Sequence, residues 1–480
     1  MIDWISILPQ LLLAGGGFIV FCVGAFWRKH SAGLLFGIAL LAVCAAGLAT
    51  ILHQPEAPQF LRMIEVTGYG RFFTFLITLI TAITLLFSHQ YSKIRGFARD
   101  EFYGLILFAA LGMSLVSSAV HWLTFFLGLE VLSLSLYVLI AIRKDQVVSN
   151  EAGIKYFIMG AVASAFLTFG IALIYALTGK LDIAQSLAGG APAGSMSLIL
   201  LGVSLILVGI GFKISMVPFH LWTPDVYQGA PAPVTAFLST GSKVALFAAL
   251  LRFVSCFSGE IWAYFIPVIW ILAFLTMVVG NISALAQTRV KRLLAYSSVA
   301  QMGYLLMTLL ALKQNGASAI MLYLTIYSLM DLGAFGTLAT LSAEKEDLDV
   351  LEDYKGLGYS HPWRSAILAT CLFSLAGMPP TAGFIGKFAL FQAVLQARFV
   401  ILAVIGILTV IVSIYFYFKV IMALFMRAAE EGIVVPGVTL SDRLAGGLIL
   451  VLILWLGLVP NTLLDVIGQA LPFISAPFPP

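Results

Sequence analysis

Apolar runs of about twenty residues follow one another along nearly the whole chain, from Ile7 to about residue 464. A helix needs about 20 apolar residues to cross a hydrocarbon core. Within that core only helices and closed barrels satisfy all their backbone groups. About fourteen runs qualify, near 7–26, 32–52, 71–91, 102–120, 122–142, 153–178, 196–217, 234–254, 261–280, 293–312, 317–342, 365–396, 399–426 and 444–464. The expected fold is an all-α polytopic membrane protein with about 14 transmembrane helices. Composition agrees: 61% of the 480 residues are hydrophobic and 10% charged. A soluble domain carries about 25% charged residues, so too few remain here to cover a water-facing surface.

Several function classes are thereby excluded. The net charge is only +4, with no basic run to grip a nucleic acid. Cys22, Cys44, Cys256 and Cys371 are scattered through apolar stretches without a CxxC pair. They read as packing residues, not as an iron–sulfur, zinc or disulfide framework. Gly209 and Gly211 sit inside an apolar run and favour close helix packing over dinucleotide binding. No metal or cofactor site is expected in this chain, and the electrons of any associated redox chemistry travel in other chains. The first run lacks the basic flank and cleavage site of a signal peptide and is expected to remain as a span.

The basic residues orient the spans. Loops after odd-numbered runs hold fifteen: Arg28, Lys29, Lys93, Arg95, Arg99, Arg143, Lys144, Arg289, Lys291, Arg292, Lys345, Lys355, Arg364, Arg427 and Arg443. The opposite loops hold five: Arg62, Arg71, Lys180, Lys313 and Arg398. The positive-inside rule places the first set in the cytoplasm and both termini outside. Of the other six, Lys155 begins its helix, and Arg252 and Lys419 are within snorkelling reach of an interface. Lys213, Lys243 and Lys387 have no such explanation.

Charges inside the spans carry the functional signal. Glu130 lies eight residues past Trp122, which is ~12 Å into the hydrocarbon at ~1.5 Å per residue. A carboxylate there costs on the order of 2.5–3.5 kcal/mol. It is either a protonated side chain bonded to a carbonyl or a proton-carrying, lysine-paired group, and the available lysines favour the second. Lys243 is close to the midplane of the eighth run. Its ammonium either exchanges a proton or locks two helices in a static ion pair.

Two spans are broken. The stretch from Gly211 to Ser239 carries Pro218, Pro224, Pro231 and Pro233, and SLAGMPPTAGFIGKF (374–388) carries Pro379, Pro380 and three glycines. Neither can be a continuous helix, and irregular backbone at membrane depth persists only inside protein or along a water-filled cavity. Lys213 precedes the first break and Lys387 ends the second. The breaks fall in the seventh and twelfth spans, five apart, so matching units would have opposite orientation, as in many transporters. The expected organisation is a three-helix segment (1–101), a five-helix unit (102–258), an inverted five-helix unit (259–428) and a last span (429–480).

Other ionisable groups are secondary candidates. His220 and Asp225 accompany the first break; the imidazole serves either as a proton shuttle or as a cap for freed backbone groups. Asp331 in YSLMDLGAF is an embedded carboxylate without an obvious partner. The acidic stretch Ala343 to Gly358 reads as a solvated loop, or else as a docking surface for a neighbouring subunit.

VPFHLWTPDVYQGAPAPVTAFLS (217–239), Ser242–Lys243, KRLLAYSSVAQMGY (291–304) and AGFIGKF (382–388) together resemble the antiporter-like membrane subunits of energy-converting complexes. The first motif is most similar to the subunit N type of NADH-quinone oxidoreductase, respiratory complex I. The resemblance covers nearly the whole chain. It implies a proton-translocating subunit in a bacterial inner membrane, beside other membrane and peripheral subunits. NADH, FMN, iron–sulfur clusters and quinone would belong to those partners. It also implies that Glu130 pairs with Lys213, that Lys243 relays protons centrally and that Lys387 governs the outer side. His220 and Lys155 match family positions; Asp331 matches none. The alternative is a subunit of a multisubunit sodium/proton antiporter or related energy-converting complex, although sodium prefers oxygen ligands and this path is rich in lysine. A third reading is a structural spacer whose charges only join helices. Helix counting puts Lys213 ~26 Å in from the outer side, so the implied Glu130–Lys213 pair does not follow from spacing.

Overall fold

The computed structural model describes residues 4–27, 32–53, 59–188, 195–342, 347–427 and 435–471. Arg28, Lys29, Lys345 and the first residues of the acidic stretch lie outside the described residues. The first helices are α1 (Leu8–Phe26), α2 (Ala32–Leu52), α3 (Gly68–Ile94), α4 (Asp100–Ser118), α5 (Trp122–Ile140) and α6 (Val147–Thr178). A short hairpin, β1 (Gln59–Phe60) and β2 (Ile64–Glu65), precedes α3. After the small helix α7 (Ile183–Ala188) comes α8 (Met196–Lys213), which ends at the lysine. The chain then forms α9 (Thr223–Gly229), α10 (Ala232–Phe237), a π-helical turn (Leu238–Ser242) and α11 (Lys243–Ser255). Next are α12 (Gly259–Leu285), α13 (Val290–Leu309), α14 (Ala317–Leu341) and a single turn, α15 (Leu357–Ser360). The broken span follows as α16 (Pro362–Ala376) and α17 (Ala382–Gln396), then α18 (Val400–Met426), α19 (Leu440–Leu458) and the amphipathic α20 (Asn461–Ala470).

Among the described residues, twelve helical stretches are long and apolar enough to cross a membrane. Two expected spans fall outside that group for physical reasons. α13 carries Lys291, Arg292, two serines, a glutamine and two tyrosines, and α16 and α17 are each only fifteen residues long. With these two the fold is compatible with fourteen crossings.

Burial divides the helices into two kinds. In the most apolar window of α6 only 28% of residues are buried, and in α2 only 33%, so both present broad faces to lipid. The most apolar windows of Ala232–Ser255 and of Leu312–Leu341 are buried throughout. The helices that hold Lys243 and Asp331 are therefore wrapped by other helices and can carry polar groups that a lipid-facing helix could not.

The breaks keep their backbone satisfied. At the first, the Trp222 indole donates to the Phe212 carbonyl at 2.9 Å, and the Val217 amide donates to Thr276 Oγ1 at 3.1 Å. At the second, Gly377 turns the chain at φ +82°, a conformation costly for a side-chain-bearing residue. Gly383 then approaches Ser374 so closely that an added Cβ would lie 1.7 Å from its carbonyl oxygen.

The loops on the basic face are tied into the bundle, which corrects two expectations. Asp347, from the acidic stretch, is not a solvated group. It pairs with Arg95 at 2.9 Å, Lys291 at 3.0 Å and Arg143 at 3.5 Å, and accepts from the Tyr91 hydroxyl. On the opposite face Arg252 does not snorkel; it is buried against Glu65 and lies over the Tyr69 ring.

Burial alone would raise the Asp347 carboxyl, but Lys291, Arg95 and Arg143 outweigh it and hold the group well below the usual carboxylate range. Its stabilising contribution is therefore complete above ~pH 4, the unfolded value, and is lost as pH falls toward the native one. Asp347→Asn should destabilise the subunit by on the order of 3–5 kcal/mol, read as earlier thermal inactivation of the solubilised complex at neutral pH. The gap between variant and native protein should narrow below ~pH 4.

Candidate functional site

Three buried lysines define the site, and all three are held in the same manner. Lys213, at the end of α8, donates to Ser133 Oγ at 2.7 Å and to the Tyr137 hydroxyl at 3.4 Å, both on α5. Its ammonium is also 5.3 Å from the ring centres of Tyr137 and Tyr156. Lys243 opens α11 directly after the π-helical turn, donates to Ser298 of α13 and lies 5.6 Å from the Tyr227 ring. Lys387 of α17 donates to the Leu375 carbonyl at 2.6 Å, one of the acceptors freed by the second break, and lies 5.6 Å from the Tyr304 ring. Among the described residues none of the three has a carboxylate within ion-pair distance. Hydroxyl oxygens and aromatic faces stabilise an ammonium without supplying the counter-charge that would fix its proton in place.

Glu130 is half-buried on α5 and accepts from Ser164 of α6 at 2.7 Å. It makes no direct pair with Lys213. The lysine meets α5 at Ser133 and Tyr137, three and seven residues further along, about 5–10 Å deeper at ~1.5 Å per residue. That offset is what the helix counting indicated.

The remaining candidates separate. Lys155 sits at the head of α6, 41% exposed, paired with Glu151 at 2.6 Å and Asp225 at 3.0 Å. Asp225 also holds Arg292 at 2.7 Å, so both belong to an ionic cluster on the basic face that joins α6, α9 and α13. His220 is 8% exposed beside the first break, and its Nδ1 has no partner among the described residues. Asp331 is fully buried and accepts from Tyr327 at 3.2 Å.

The residues that join these groups were not singled out in the sequence. Along one face of α13, Ser298, Gln301 and Tyr304 recur at spacings of three, which stacks them on neighbouring turns. Gln301 accepts from Tyr323 of α14 and donates to Tyr417 of α18 at 3.1 Å; Tyr417 also bonds Ser297. Tyr304 bonds Asn281 at 3.1 Å and Thr409 at 3.1 Å. One face of α13 thus carries a polar rail, from Ser298 at Lys243 to Tyr304 beneath Lys387, whose members bond to side chains of the flanking helices. The available signal was the poor apolar character of α13: a span rich in serine, glutamine and tyrosine is paying for polarity that lipid would not tolerate.

Residues 119–413 match the family described as NADH:quinone oxidoreductase/Mrp antiporter, TM. The chain is 46% identical over 468 residues to NADH-quinone oxidoreductase subunit N 1 of Solidesulfovibrio magneticus, covering 97% of this chain and 98% of the relative. It is 43% identical to NADH-quinone oxidoreductase subunit N of Geotalea uraniireducens over 469 residues, 98% of each. The chain belongs to this family of antiporter-like membrane subunits. A chain of respiratory complex I from Thermus thermophilus with bound Aureothin superposes with a TM-score of 0.81 at 35% identity, covering 96% of this chain and 99% of that one. A chain of the Mrp complex from Dietzia sp. superposes with a TM-score of 0.84 at 22% identity, covering 98% and 97%, and shares the fold.

The rail makes a specific demand. Gln301→Leu removes its bonds to Tyr323 and Tyr417 while keeping the side chain's bulk. Proton uptake driven by the assembled complex should fall about tenfold, measured by a pH-sensitive dye in inverted vesicles. Uptake at the native rate would show that the rail only packs helices.

Proposed function

We propose that this chain is the proton-translocating membrane subunit of an NADH-quinone oxidoreductase, and that Glu130, Lys213, Lys243 and Lys387 carry the proton. The observation that supports the relay most directly is the holding of all three lysines by hydroxyls, carbonyls and aromatic rings in place of carboxylates. Quinone reduction in partner subunits would change the field at Glu130 and shift the proton affinity of Lys213. The charge would pass to Lys243 and then along the α13 rail towards Lys387. NADH, FMN, iron–sulfur clusters and quinone are assigned to those partners, and none to this chain.

The same reading places the subunit in a bacterial inner membrane with both termini outside, on the strength of the basic loops. Residues 102–258 and 259–428 are proposed as inverted repeats after the N-terminal 1–101 and before the last span, 429–480. Their supports are the two breaks five spans apart and the matching neighbours: α4 packs on α5 as α12 packs on α13, and α6 on α8 as α14 on α16. Lys155, Asp225 and His220 are assigned to the basic face near the first break, where protons would be taken up.

Lys213→Ala or Lys243→Ala should cut NADH-driven proton uptake by inverted vesicles at least about tenfold while the complex still assembles. Unchanged uptake by an assembled variant would overturn the relay. Salt-dependent sodium transport by this chain, without quinone-linked activity, would favour the antiporter alternative.

A further inference from the structure

The relay gives no role to Asp331, a buried carboxylate. Asp331 lies in the middle of α14 and is completely enclosed. Its Oδ1 has no hydrogen-bond partner among the described residues. Its Oδ2 accepts from the Tyr327 hydroxyl, one turn earlier on the same helix, at 3.2 Å. The Tyr327 oxygen is 2.6 Å from Ser298 Oγ, and Ser298 accepts from the Lys243 ammonium. Four side chains from three helices therefore form an unbroken line from ammonium to carboxylate. Tyr327 has a second acceptor, the Ser239 carbonyl at 3.1 Å, in the π-helical turn that precedes Lys243. Its hydroxyl proton can thus point along the line or away from it.

We propose that Asp331 is a second proton-binding site, which receives the proton of Lys243 through Ser298 and Tyr327; the inference rests on the relay role given to Lys243 above. The transfer balances atom by atom. Lys243 Nζ gives a proton to Ser298 Oγ, Ser298 passes its own hydroxyl proton to Tyr327, and Tyr327 passes its own to Asp331 Oδ2. An ammonium and a carboxylate become an amine and a carboxylic acid, and both hydroxyls end as they began. The compartment is electrically neutral before and after, so the step creates no lone ion in the interior, where one would be most costly. Among the described residues Lys243 is the one charged group that acts on Asp331. The other titratable neighbours are Tyr227 of α9, Tyr323 of α14, Tyr417 of α18 and Cys371 of α16. A proton held on Asp331 leaves Lys243 neutral and ready to accept the next one.

Asp331→Asn keeps the volume and a partner for Tyr327 but cannot bind the proton. In the assembled complex it should reduce proton uptake per electron about tenfold, and Asp331→Glu should restore most of it. Tyr327→Phe leaves the carboxyl in place, breaks the line and should give the same loss. Redox-difference infrared spectra of the native complex should show a carboxylic-acid C=O band that Tyr327→Phe shifts or removes. Native uptake in both Asp331→Asn and Tyr327→Phe, with uptake abolished in Lys243→Ala, overturns this proposal and leaves the relay standing. Native uptake in Lys243→Ala overturns the relay itself. Should Asp331→Asn fail to assemble, absence of the infrared band from the native complex, or its indifference to Tyr327→Phe, overturns the proposal.

Discussion

Moving an ammonium out of water costs several kcal/mol even after the protein relaxes around it, and at Lys213, Lys243 and Lys387 this chain does so without a carboxylate in contact among the described residues. Each lysine is compensated by oxygen lone pairs and the faces of aromatic rings. Such partners lower the cost of the charge without making it permanent. Supplying them requires hydroxyls, a free carbonyl and tyrosine rings in the middle of a membrane bundle, and much of the fold follows from that requirement. Lys213 and Lys387 each sit at a break, where helix geometry has already released backbone acceptors. Lys243 follows a π-helical turn, a local widening that recurs at functional sites.

The same requirement explains which helices face lipid. A helix carrying Lys243, or one carrying Asp331 with Tyr323 and Tyr327, would be unstable against hydrocarbon. Both are enclosed, while the outer helices α2 and α6 present mostly apolar residues. α13 has the most polar sequence of the enclosed spans, and it touches α9, α12, α14, α17 and α18. It can therefore line up Ser298, Gln301 and Tyr304 between two lysines and still satisfy each of them.

What the sequence made legible follows from how local each signal is. Span positions, the two breaks and the buried lysines depend on residues close together in the chain, and the structure has them where expected. Partners depend on packing and were not legible. Ser133 and Ser298 look like ordinary serines until Lys213 and Lys243 are laid against them, and Asp331 gained a route to Lys243 only through two intervening hydroxyls. The acidic stretch misled for the same reason. Its composition suggests a solvated loop, and nothing local announces that Arg95 after α3, Arg143 after α5 and Lys291 at the start of α13 converge on Asp347. Helix counting, by contrast, placed Lys213 deeper than Glu130, and the contacts with Ser133 and Tyr137 lie at that greater depth.

Charge in this chain is treated in two ways, one at the faces of the bundle and one in its interior. On the basic face Asp347 has three cations and a tyrosine, and Asp225 has two cations; on the other face Arg252 is closed against Glu65. Asp347 and Asp225 each face more cations than one carboxylate needs, which holds both below the usual carboxylate range, and together with the Arg252–Glu65 pair they tie the ends of the bundle together. In the interior the balance is reversed. Among the described residues Lys213, Lys243 and Lys387 have no carboxylate in contact, and Asp331 Oδ1 has no hydrogen-bond partner. A group held that loosely responds to a charge appearing several ångströms away, because the interior screens such a field far less than water does. Over-paired charges tie the scaffold together, and the under-paired charges inside it are the ones to which the proposed relay assigns the proton.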